Sequence, residues 1–270
     1  MATPEKRRRS IGKYEGEWGR VREIAESVIA SGERDLSRVL RLVEAKWRGM
    51  SAEPAEGLAF GEPIVIPDAA LFGGRRDLIL SVLRNACRPE TGLVAELGSG
   101  SGINLLNLHL WGGPRVPYFA LEPTEQGRAC VTLLAGLDRD LELTAQPFDY
   151  ESPRYDLPRA EHALVFTSHS IEQVTDLPRE AITSLFGLGR SVTGVHFEPI
   201  GWHLREASSD DAARQWGEKK RYNRNLWALL TGLAAEGEIE IETAVPDILG
   251  DKRRNASTLV VWQRRESSHA

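Results

Sequence analysis

An acidic residue and three glycines at alternate positions follow an apolar run in the middle of the chain. Residues 93–102 read Leu-Val-Ala-Glu-Leu-Gly-Ser-Gly-Ser-Gly. The apolar run favours a buried parallel strand, and residues 103–110 favour the helix after it. Glycines let the backbone turn tightly and let a ligand approach where a Cβ would block it, and the first N–H groups of the helix are unpaired. The segment therefore predicts a nucleotide-type cofactor site, whose glycines are Gly98, Gly100 and Gly102.

Two cofactors compete for such a turn. A dinucleotide fingerprint spaces its glycines G-x-G-x-x-G and rests a pyrophosphate on the helix N-terminus. Here the third glycine comes one residue early, and Glu96 stands two positions before Gly98. A carboxylate at this place repels pyrophosphate but tolerates a ligand that carries an ammonium and a sulfonium. The pattern from Val94 to Gly102 resembles the first motif of class I S-adenosylmethionine-dependent methyltransferases, whose cofactor the resemblance implies.

Three later apolar runs are predicted strands that end in a polar residue. A carboxylate at the end of a second strand accepts both ribose hydroxyls in a doubly wound nucleotide site, which suits Glu122. The resemblance implies that Asp149 accepts from the adenine amino group and that Phe148 or Tyr150 flanks the ring. It also implies that Ser168 begins the polar segment that many members carry after their fourth strand. The runs and the residues after them are 116–121 with Glu122, 141–148 with Asp149, and 163–167 with Ser168.

The resemblance extends over roughly residues 75–264 and carries a fold with it. Strands and helices alternate in this region, which is the sequence sign of a parallel α/β sheet. Residues 210–235 read as a helical region interrupted near Gly217, and the strands at 239–244 and 259–263 follow it. A terminal antiparallel strand is typical of the methyltransferase sheet and has no counterpart in a dinucleotide-binding domain. We therefore predict a Rossmann-like, doubly wound, seven-stranded α/β sheet with an antiparallel C-terminal strand.

The first 74 residues are predicted to add a helical cap and a linker. Two apolar patterns at helical spacing, separated by Ser31 and Gly32, predict a helical hairpin that covers the substrate, joins two subunits or packs on the flank. The basic run that starts at Lys6 predicts a disordered tail. Glycines and prolines in residues 51–74 predict a long loop that acts as a lid or linker. The predicted divisions are 1–13 (tail), 14–74 (cap and lid or linker) and 75–270 (cofactor-binding domain).

The composition of the chain limits the classes of molecule that it is expected to bind. The 270 residues have a formal net charge of −5, which argues against nucleic acid, because phosphate neutralisation needs a basic surface. Cys87 and Cys130 lack metal-ligand spacing and predict reduced thiols in a cytoplasmic protein. No apolar stretch approaches the ~20 residues that span a bilayer. We expect a small-molecule substrate, no nucleic-acid or membrane partner, and a homodimer formed through the N-terminal helices.

Histidines and carboxylates gather after the predicted fourth strand and within and after the fifth, at residues 191–197. Substrates of open α/β sheets lie beyond the carboxyl ends of the strands, so these segments are expected to face the substrate. Two further polar residues precede an apolar helical segment. The predicted catalytic residues are His169, Glu172 and Glu198, and the predicted substrate-binding residues are His196, His203, Tyr222 and Asn223.

Two chemistries fit these residues. In the first, Glu172 and Glu198 hold a cationic amine or guanidinium while His169 or a carboxylate removes its proton. In the second, His196, Glu198 and His203 resemble a metal-ligand set that supports O-methylation of a sugar or phenol. Because Mg²⁺ prefers oxygen ligands, we predict metal-free transfer and no metal site.

The polar segment after the fourth strand also bears on the substrate class. It lacks the Asn-Pro-Pro-Tyr type sequence that many nucleic-acid and protein amide methyltransferases carry at this position. It resembles the small-molecule branch, which includes enzymes of natural-product biosynthesis. We predict methylation of a nitrogen or hydroxyl of a small polar metabolite. The alternatives are a metal-assisted sugar or phenol O-methyltransferase, an NAD-dependent oxidoreductase, and a non-catalytic module that binds the cofactor.

Overall fold

Helices and strands alternate along the part of the chain that the computed structural model describes, which is residues 4–49, 51–205, 212–250 and 254–265. Two 3₁₀ turns, Ile171–Gln173 and Ser184–Leu188, complete the regular structure. The helices are α1 (Pro4–Ala30), α2 (Leu36–Arg48), α3 (Asp68–Ala86), α4 (Ile103–Leu110), α5 (Glu125–Ala135), α6 (Glu180–Thr183), α7 (Gly201–Leu204), α8 (Ala212–Lys220) and α9 (Leu226–Ala235). The strands are β1 (Pro54–Ala59), β2 (Glu62–Pro67), β3 (Thr91–Leu97), β4 (Tyr118–Leu121), β5 (Leu143–Gln146), β6 (Ala160–Ser168), β7 (Gly189–Glu198), β8 (Glu240–Gly250) and β9 (Ser257–Arg265).

All of these strands belong to one sheet in the order β2-β1-β8-β9-β7-β6-β3-β4-β5. Strands β3 to β7 pair in parallel, and β9 lies antiparallel between β7 and β8. The seven strands from β8 to β5 confirm the predicted Rossmann-like sheet with its antiparallel C-terminal strand. The described sheet has nine strands because a hairpin adds β1 and β2 at the β8 edge.

That hairpin corrects the loop predicted for residues 51–74. Phe60 and Gly61 both have positive φ (50° and 82°), so a two-residue turn joins β1 to β2, and β1 pairs with β8. The glycines and prolines of this segment suggested irregular structure. An edge strand accommodates proline, however, because one side of its backbone needs no partner. The segment therefore extends the sheet.

Both faces of the central strands are covered. In β3, Leu93 and Ala95 pack into the cluster that contains α9, and Val94 packs into the cluster that contains α3 and α4. Burial on both faces explains why this strand reads as a continuous apolar run without alternation. It also leaves the carboxyl end of the strand as the place where polar side chains meet a cavity.

The two N-terminal helices pack on the same chain. Val21 and Val28 of α1 and Leu40 of α2 share an apolar cluster with Leu106 of α4 and Leu134 of α5. Helix α1 begins at Pro4, so residues 4–13 are helical and the predicted disordered tail is wrong there, while residues 1–3 lie outside the described residues. Association of two copies through these helices stays a prediction.

The region between β7 and β9 differs from its prediction in two places. The helical region predicted at 210–235 is interrupted at residues 221–225, between α8 and α9, and not near Gly217, which lies within α8. Strand β8 continues past the predicted 239–244 to Gly250, although it includes Pro246. Within the described ranges, no helix combines the length and apolar character needed to cross a membrane.

Candidate functional site

The carboxyl ends of β3, β4 and β6 open into a cavity of about 340 Å³. Helix α1 covers it, and α2 and α3 supply one wall. This is the place where ligands bind in open α/β sheets. Nine of the residues predicted for the site line the cavity: Glu96, Gly98, Gly100, Glu122, Phe148, Asp149, Ser168, His169 and Glu172.

The glycine turn has a backbone that only glycine fits easily. Gly98 and Gly100 have φ of 69° and 56°, in the left-handed region. A Cβ on Gly98 would overlap the Cβ of Ser170, and a Cβ on Gly100 would lie 2.5 Å from the Trp18 ring. Gly102 does not line the cavity; it begins α4, and a Cβ there would lie 2.8 Å from Val131. The third glycine therefore permits helix packing and lies outside the cavity lining, where the predicted cofactor contact has no support.

Glu96 presents a carboxylate oxygen that lacks a protein partner. The side chain is buried, and its Oε1 accepts a hydrogen bond from Asn104 Nδ2 at 2.6 Å. Oε2 has no hydrogen-bond partner among the described residues. Burial raises the pKa of Glu96 to about 8, opposed by the Asn104 hydrogen bond. A buried carboxylate of this kind gains most from a ligand cation, because an ammonium would both pair its charge and satisfy Oε2.

Glu122 connects the end of β4 to the glycine turn. Its Oε2 accepts from the Gly100 N–H at 2.8 Å, and its Oε1 accepts from the Thr124 N–H at 3.0 Å and from the Thr124 hydroxyl. Burial raises its pKa, while the Thr124 hydrogen bonds act in the opposite direction. A carboxylate oxygen has a second lone pair, so these bonds fix the group and still allow it to accept ligand hydroxyls.

The segment after β5 supplies an aromatic corner of the cavity. Phe148 and Tyr150 meet edge to face with ring centroids 4.8 Å apart. The Tyr150 hydroxyl lies 2.9 Å from the Leu97 carbonyl oxygen, so this ring supports the end of β3. Asp149 lines the cavity between them, and its Oδ1 accepts from the Glu151 N–H at 2.7 Å. Phe148, Asp149 and Tyr150 all line the cavity, and their contacts with an adenine stay predictions.

His169 and Glu172 form a pair on the loop after β6. The His169 Nδ1 lies 3.2 Å from Glu172 Oε2, and its Nε2 lies 2.8 Å from the Ser257 hydroxyl. The Gln173 amide donates to Glu172 Oε1 at 2.8 Å. His169 has a φ of 53°, and its backbone N–H bonds to the Phe197 carbonyl at 3.0 Å, which joins the loop to β7. An imidazole against a carboxylate can take up a proton from a group in the cavity.

Glu198 has a different role from the one predicted. It is fully buried, does not line the cavity, and accepts from the backbone N–H groups of Ser170, Ile171 and Glu172 at 3.1, 3.2 and 3.3 Å. Burial raises its pKa to about 7. The carboxylate therefore orders the loop that carries His169 and Glu172, and the predicted catalytic role is corrected to a positioning one.

His196 is a core residue. Its Nδ1 lies 3.0 Å from the Thr167 hydroxyl, and its Nε2 accepts from the indole N–H of Trp262 at 2.9 Å. Burial lowers its pKa to about 3, so the ring is neutral. Both ring nitrogens are used inside the protein and the residue lies away from the cavity, which contradicts the predicted substrate-binding role.

His203 and Asn223 also act within the protein. The His203 Nε2 lies 3.2 Å from the Asn223 carbonyl oxygen, and the Asn223 amide donates to the Val174 carbonyl at 2.8 Å. Asn223 also accepts from the Leu226 N–H at 2.7 Å, where α9 begins. Neither residue lines the cavity, so their predicted substrate contacts are wrong in this arrangement. The alternative metal-ligand set of His196, Glu198 and His203 is not assembled either, because the two histidines are engaged separately. The described residues hold no group of three His, Cys, Asp or Glu side chains arranged for a metal ion.

Two tyrosines lie near Glu172. Burial and the charge of Glu172 together raise the pKa of Tyr222 to about 12 and raise that of Tyr14 as well. Tyr222, predicted to bind substrate, is half-buried outside the cavity lining, whereas Tyr14 of α1 lines the cavity and was not predicted. Helical spacing could have indicated Tyr14. It precedes Trp18 by four residues, so both rings lie on the same face of α1, and both line the cavity.

Helix α1 is fixed over the cavity by polar contacts of two of its residues, Ser10 and Glu15. The Ser10 hydroxyl donates to Gln173 Oε1 at 2.9 Å. The Glu15 carboxylate accepts from the Glu125 and Gln126 N–H groups at 2.9 and 3.1 Å, where α5 begins. These donors are unpaired helix-terminal groups, so Glu15 caps a helix from outside it. Trp18 then lies against Gly100.

Comparisons with known proteins identify the fold. Neither family models nor curated proteins gave any match to the chain. Among solved structures, a geranyl diphosphate methyltransferase in complex with GPP and sinefungin aligns with a TM-score of 0.50 and 9% identity, over 74% of this chain and 80% of that one. The chain has the class I methyltransferase fold. A magnesium protoporphyrin IX methyltransferase from Synechocystis PCC 6803 with bound SAH has a TM-score of 0.49 and 15% identity, over 73% of this chain and 86% of that one.

A shared methyltransferase fold does not assign an activity, because one fold hosts many functions. The chemistry has to be argued from the cavity. The cavity is lined by residues at the ends of β3, β4 and β6, by the segment after β5, and by residues of α1, α2, α3 and α4.

Proposed function

We propose that this protein is an S-adenosylmethionine-dependent methyltransferase that acts on a nitrogen or hydroxyl of a small molecule. The observation that carries the proposal is the buried Glu96 carboxylate, with an oxygen that lacks a partner among the described residues, beside a glycine turn. An ammonium suits this group, because it would pair with the ionised carboxylate and satisfy Oε2. The competing oxidoreductase hypothesis gives the buried Glu96 no cationic partner.

The residues around the cavity fit each part of that cofactor. Glu96 would hold the ammonium, Glu122 the ribose hydroxyls, and Asp149 the adenine amino group, with Phe148 beside the ring. The missing Cβ at Gly100 lets the Trp18 ring of α1 lie against the glycine turn. When bound, S-adenosylmethionine supplies an electrophilic methyl carbon, whose bond to sulfur breaks with its electron pair as the acceptor's lone pair forms the new bond.

The acceptor also has to lose a proton, and the His169–Glu172 pair is the proposed destination. Both side chains line the cavity, and at 3.2 Å the Glu172 carboxylate would stabilise a proton taken up by the His169 ring. Ser257 and Gln173 orient the two groups from their other sides. A positioned base contributes typically 10²–10⁴-fold to such a step, about the scale expected here.

The experiment compares cofactors on the intact protein. Thermal shift and calorimetry with S-adenosylhomocysteine and with NAD are measured on the wild type, on Glu96→Gln and on Glu90→Gln. Glu90 is exposed just before β3, so its variant is a matched control at the opposite end of the strand. We expect binding of S-adenosylhomocysteine alone, weakened in Glu96→Gln and unchanged in Glu90→Gln. Stabilisation by NAD alone would overturn the proposal.

The acceptor is proposed to be a small polar metabolite, including those of natural-product biosynthesis. The net charge of −5 supports this over a nucleic acid, and the cavity of about 340 Å³ has the size of a small-molecule site. Incubation with labelled cofactor and a panel of amino acids, guanidines and sugars tests the class. Homodimerisation and a cytoplasmic location stay predictions of the sequence.

A further inference from the structure

His169 is held by residues that are distant from it in sequence. Its φ of 53° lies in the left-handed region, which a non-glycine residue keeps only where its surroundings impose it. Its backbone N–H donates to the Phe197 carbonyl of β7. Its ring contacts the side chains of Asn255, just before β9, and of Ser257, the first residue of β9. The C-terminal end of the sheet therefore fixes the ring that the proposed proton transfer uses.

The two ring nitrogens of His169 have different surroundings. Nε2 lies 2.8 Å from the hydroxyl of Ser257, which is buried and does not line the cavity. Nδ1 lies 3.2 Å from the carboxylate of Glu172, which does line the cavity, and 3.4 Å from Asn255 Nδ2. A proton that leaves a ligand in the cavity would therefore reach Nδ1 and not Nε2.

The contacts of the ring also bear on where its own proton lies. A neutral imidazole has one N–H, so one nitrogen donates a hydrogen bond and the other accepts one. The Asn255 Nδ2 is a donor and needs a lone pair on Nδ1. The ring proton then lies on Nε2 and is donated to Ser257, whose hydroxyl can accept it. Together, the two residues favour the tautomer in which Nδ1 can take up a proton.

We propose that Asn255 and Ser257 are positioning residues that select the Nε2–H tautomer of His169, so that Nδ1 is the base of the site. This rests on the proposed function, in which the acceptor loses a proton as it is methylated. That proton goes to Nδ1, and the electron pair of the broken bond stays on the methylated atom. The ring then donates from Nδ1 to Glu172, in place of accepting from Asn255, and still donates from Nε2 to Ser257.

The first experiment observes the tautomer directly in the ligand-free protein. Proton–nitrogen correlation spectra of protein labelled with nitrogen-15 histidine distinguish a protonated ring nitrogen from an unprotonated one, and the spectrum of His169→Gln identifies the signals of His169. The pH is raised until the ring is neutral. We expect a proton on Nε2 and none on Nδ1. The reverse pattern, which an Asn255 amide that presents Oδ1 to the ring would produce, overturns the proposal.

Three variants test whether the two residues set this tautomer. Asn255→Asp replaces the donor by an acceptor of the same shape and is expected to move the ring proton to Nδ1. Ser257→Ala removes the acceptor of Nε2 and is expected to populate both tautomers. The control is Thr258→Val, because Thr258 is also buried in β9 and its hydroxyl accepts from the Asp247 N–H at 3.2 Å, outside this site. Thermal melting verifies that each variant is folded.

The spectra of the variants have two decisive outcomes. A changed tautomer in Asn255→Asp and Ser257→Ala, with the wild-type pattern in Thr258→Val, supports the proposal. The wild-type pattern in all three variants overturns it, because neither residue then selects the tautomer. Ser257→Thr keeps the hydroxyl and is expected to restore the wild-type pattern, which a purely steric role of Ser257 would not explain.

Steady-state rates measure the consequence for the reaction. The probes are labelled S-adenosylmethionine and the acceptor that the panel of amino acids, guanidines and sugars identifies. We expect kcat to fall by roughly 10²–10⁴-fold in Asn255→Asp and by less in Ser257→Ala, with KM little changed, because the base and not the binding site is affected. A fall in kcat no larger than that of Thr258→Val would contradict the positioning role.

The two proposals can fail separately. If the wild type neither binds S-adenosylhomocysteine nor transfers a methyl group, the proposed function fails. The spectra of the ligand-free protein still decide the role of Asn255 and Ser257 in that case. An Nε2–H ring that the two variants alter supports their selection of the tautomer, and a ring that they leave unaltered refutes it.

Discussion

The ends of β3 and β7 each place a buried glutamate beside a loop, yet the two carboxylates have different surroundings. At β3, Glu96 lines the cavity; its Oε1 accepts from one amide, and its Oε2 has no hydrogen-bond partner among the described residues. At β7, Glu198 accepts from three backbone N–H groups of the loop after β6. Burial raises the pKa of both groups, to about 8 and about 7. A buried acid at a strand end is therefore not by itself a binding group, because the adjoining loop can occupy its oxygens and remove it from the cavity.

The largest effect is expected from changing Glu172, whose backbone N–H Glu198 holds in place. It tests whether the loop ordered by Glu198, and not Glu198 itself, carries the proton acceptor. Glu172→Gln keeps the shape of the side chain and removes the proposed partner of the protonated His169 ring. We expect turnover to fall by roughly 10²–10⁴-fold, with affinity for S-adenosylhomocysteine and melting temperature nearly unchanged. Steady-state rates with labelled cofactor and calorimetry measure the two quantities. Turnover at the wild-type level in Glu172→Gln would remove this residue from the mechanism.

The pH dependence of binding tests the Glu96 end. In the free protein its pKa is raised to about 8, so the carboxyl is protonated below that pH. A bound ammonium favours the ionised form, so binding releases a proton below pH 8. Affinity for S-adenosylhomocysteine should then rise by up to about tenfold per pH unit as pH 8 is approached from pH 6, and level off above it.

Calorimetry in two buffers of different ionisation enthalpy measures this proton release. The control is Glu96→Gln, in which the release should disappear along with the pH dependence. The stability of the ligand-free protein depends on pH in the opposite direction, falling where the affinity rises. Because the folded pKa is raised above its ordinary value of 4.5, this group stabilises the fold fully at low pH, and that contribution is lost as pH rises through about 8. A wild-type affinity that is flat from pH 6 to pH 8 would contradict the assigned role of Glu96.

Glu198→Gln addresses the other member of the comparison. Glutamine replaces an acceptor oxygen by an amide that donates, so at least one buried backbone N–H of the loop is left without a partner. We expect the free energy of unfolding to fall by about 1–3 kcal/mol, and turnover to fall less than in Glu172→Gln. Chemical denaturation and saturating rates measure these effects. A variant as stable as the wild type but without turnover would return Glu198 to the chemistry.

His196→Phe is expected to have the smallest effect. The ring volume is kept, while the Trp262 indole N–H loses its acceptor, at a cost of about 1–2 kcal/mol of stability. Affinity for S-adenosylhomocysteine should not change, because the residue does not line the cavity. Denaturation and calorimetry on the same preparation verify both points. A loss of affinity larger than the loss of stability would show that β7 reaches the ligand.

The same comparison shows what the sequence could and could not predict. Glu96 and Glu122 were found because glycine spacing and strand ends define a local pattern. Glu198 and His196 have no such pattern, because their partners come from loops and strands distant in sequence. Arg48 and Arg75 also line the cavity and escaped prediction for the same reason, since they lie on two helices that only the packing brings there. Alternating strands and helices predicted the sheet, but prolines concealed the hairpin.

The hairpin turn has a further consequence for the sheet edge. Because Phe60 and Gly61 form a two-residue turn, the pair that closes it exchanges backbone hydrogen bonds, and alternate residues of β2 then direct their backbone away from β1. Those outward positions are Pro63, Val65 and Pro67, and only Val65 has an N–H to donate. A strand from another molecule would find almost no donors there, so this edge of a long sheet is protected against aggregation by strand addition.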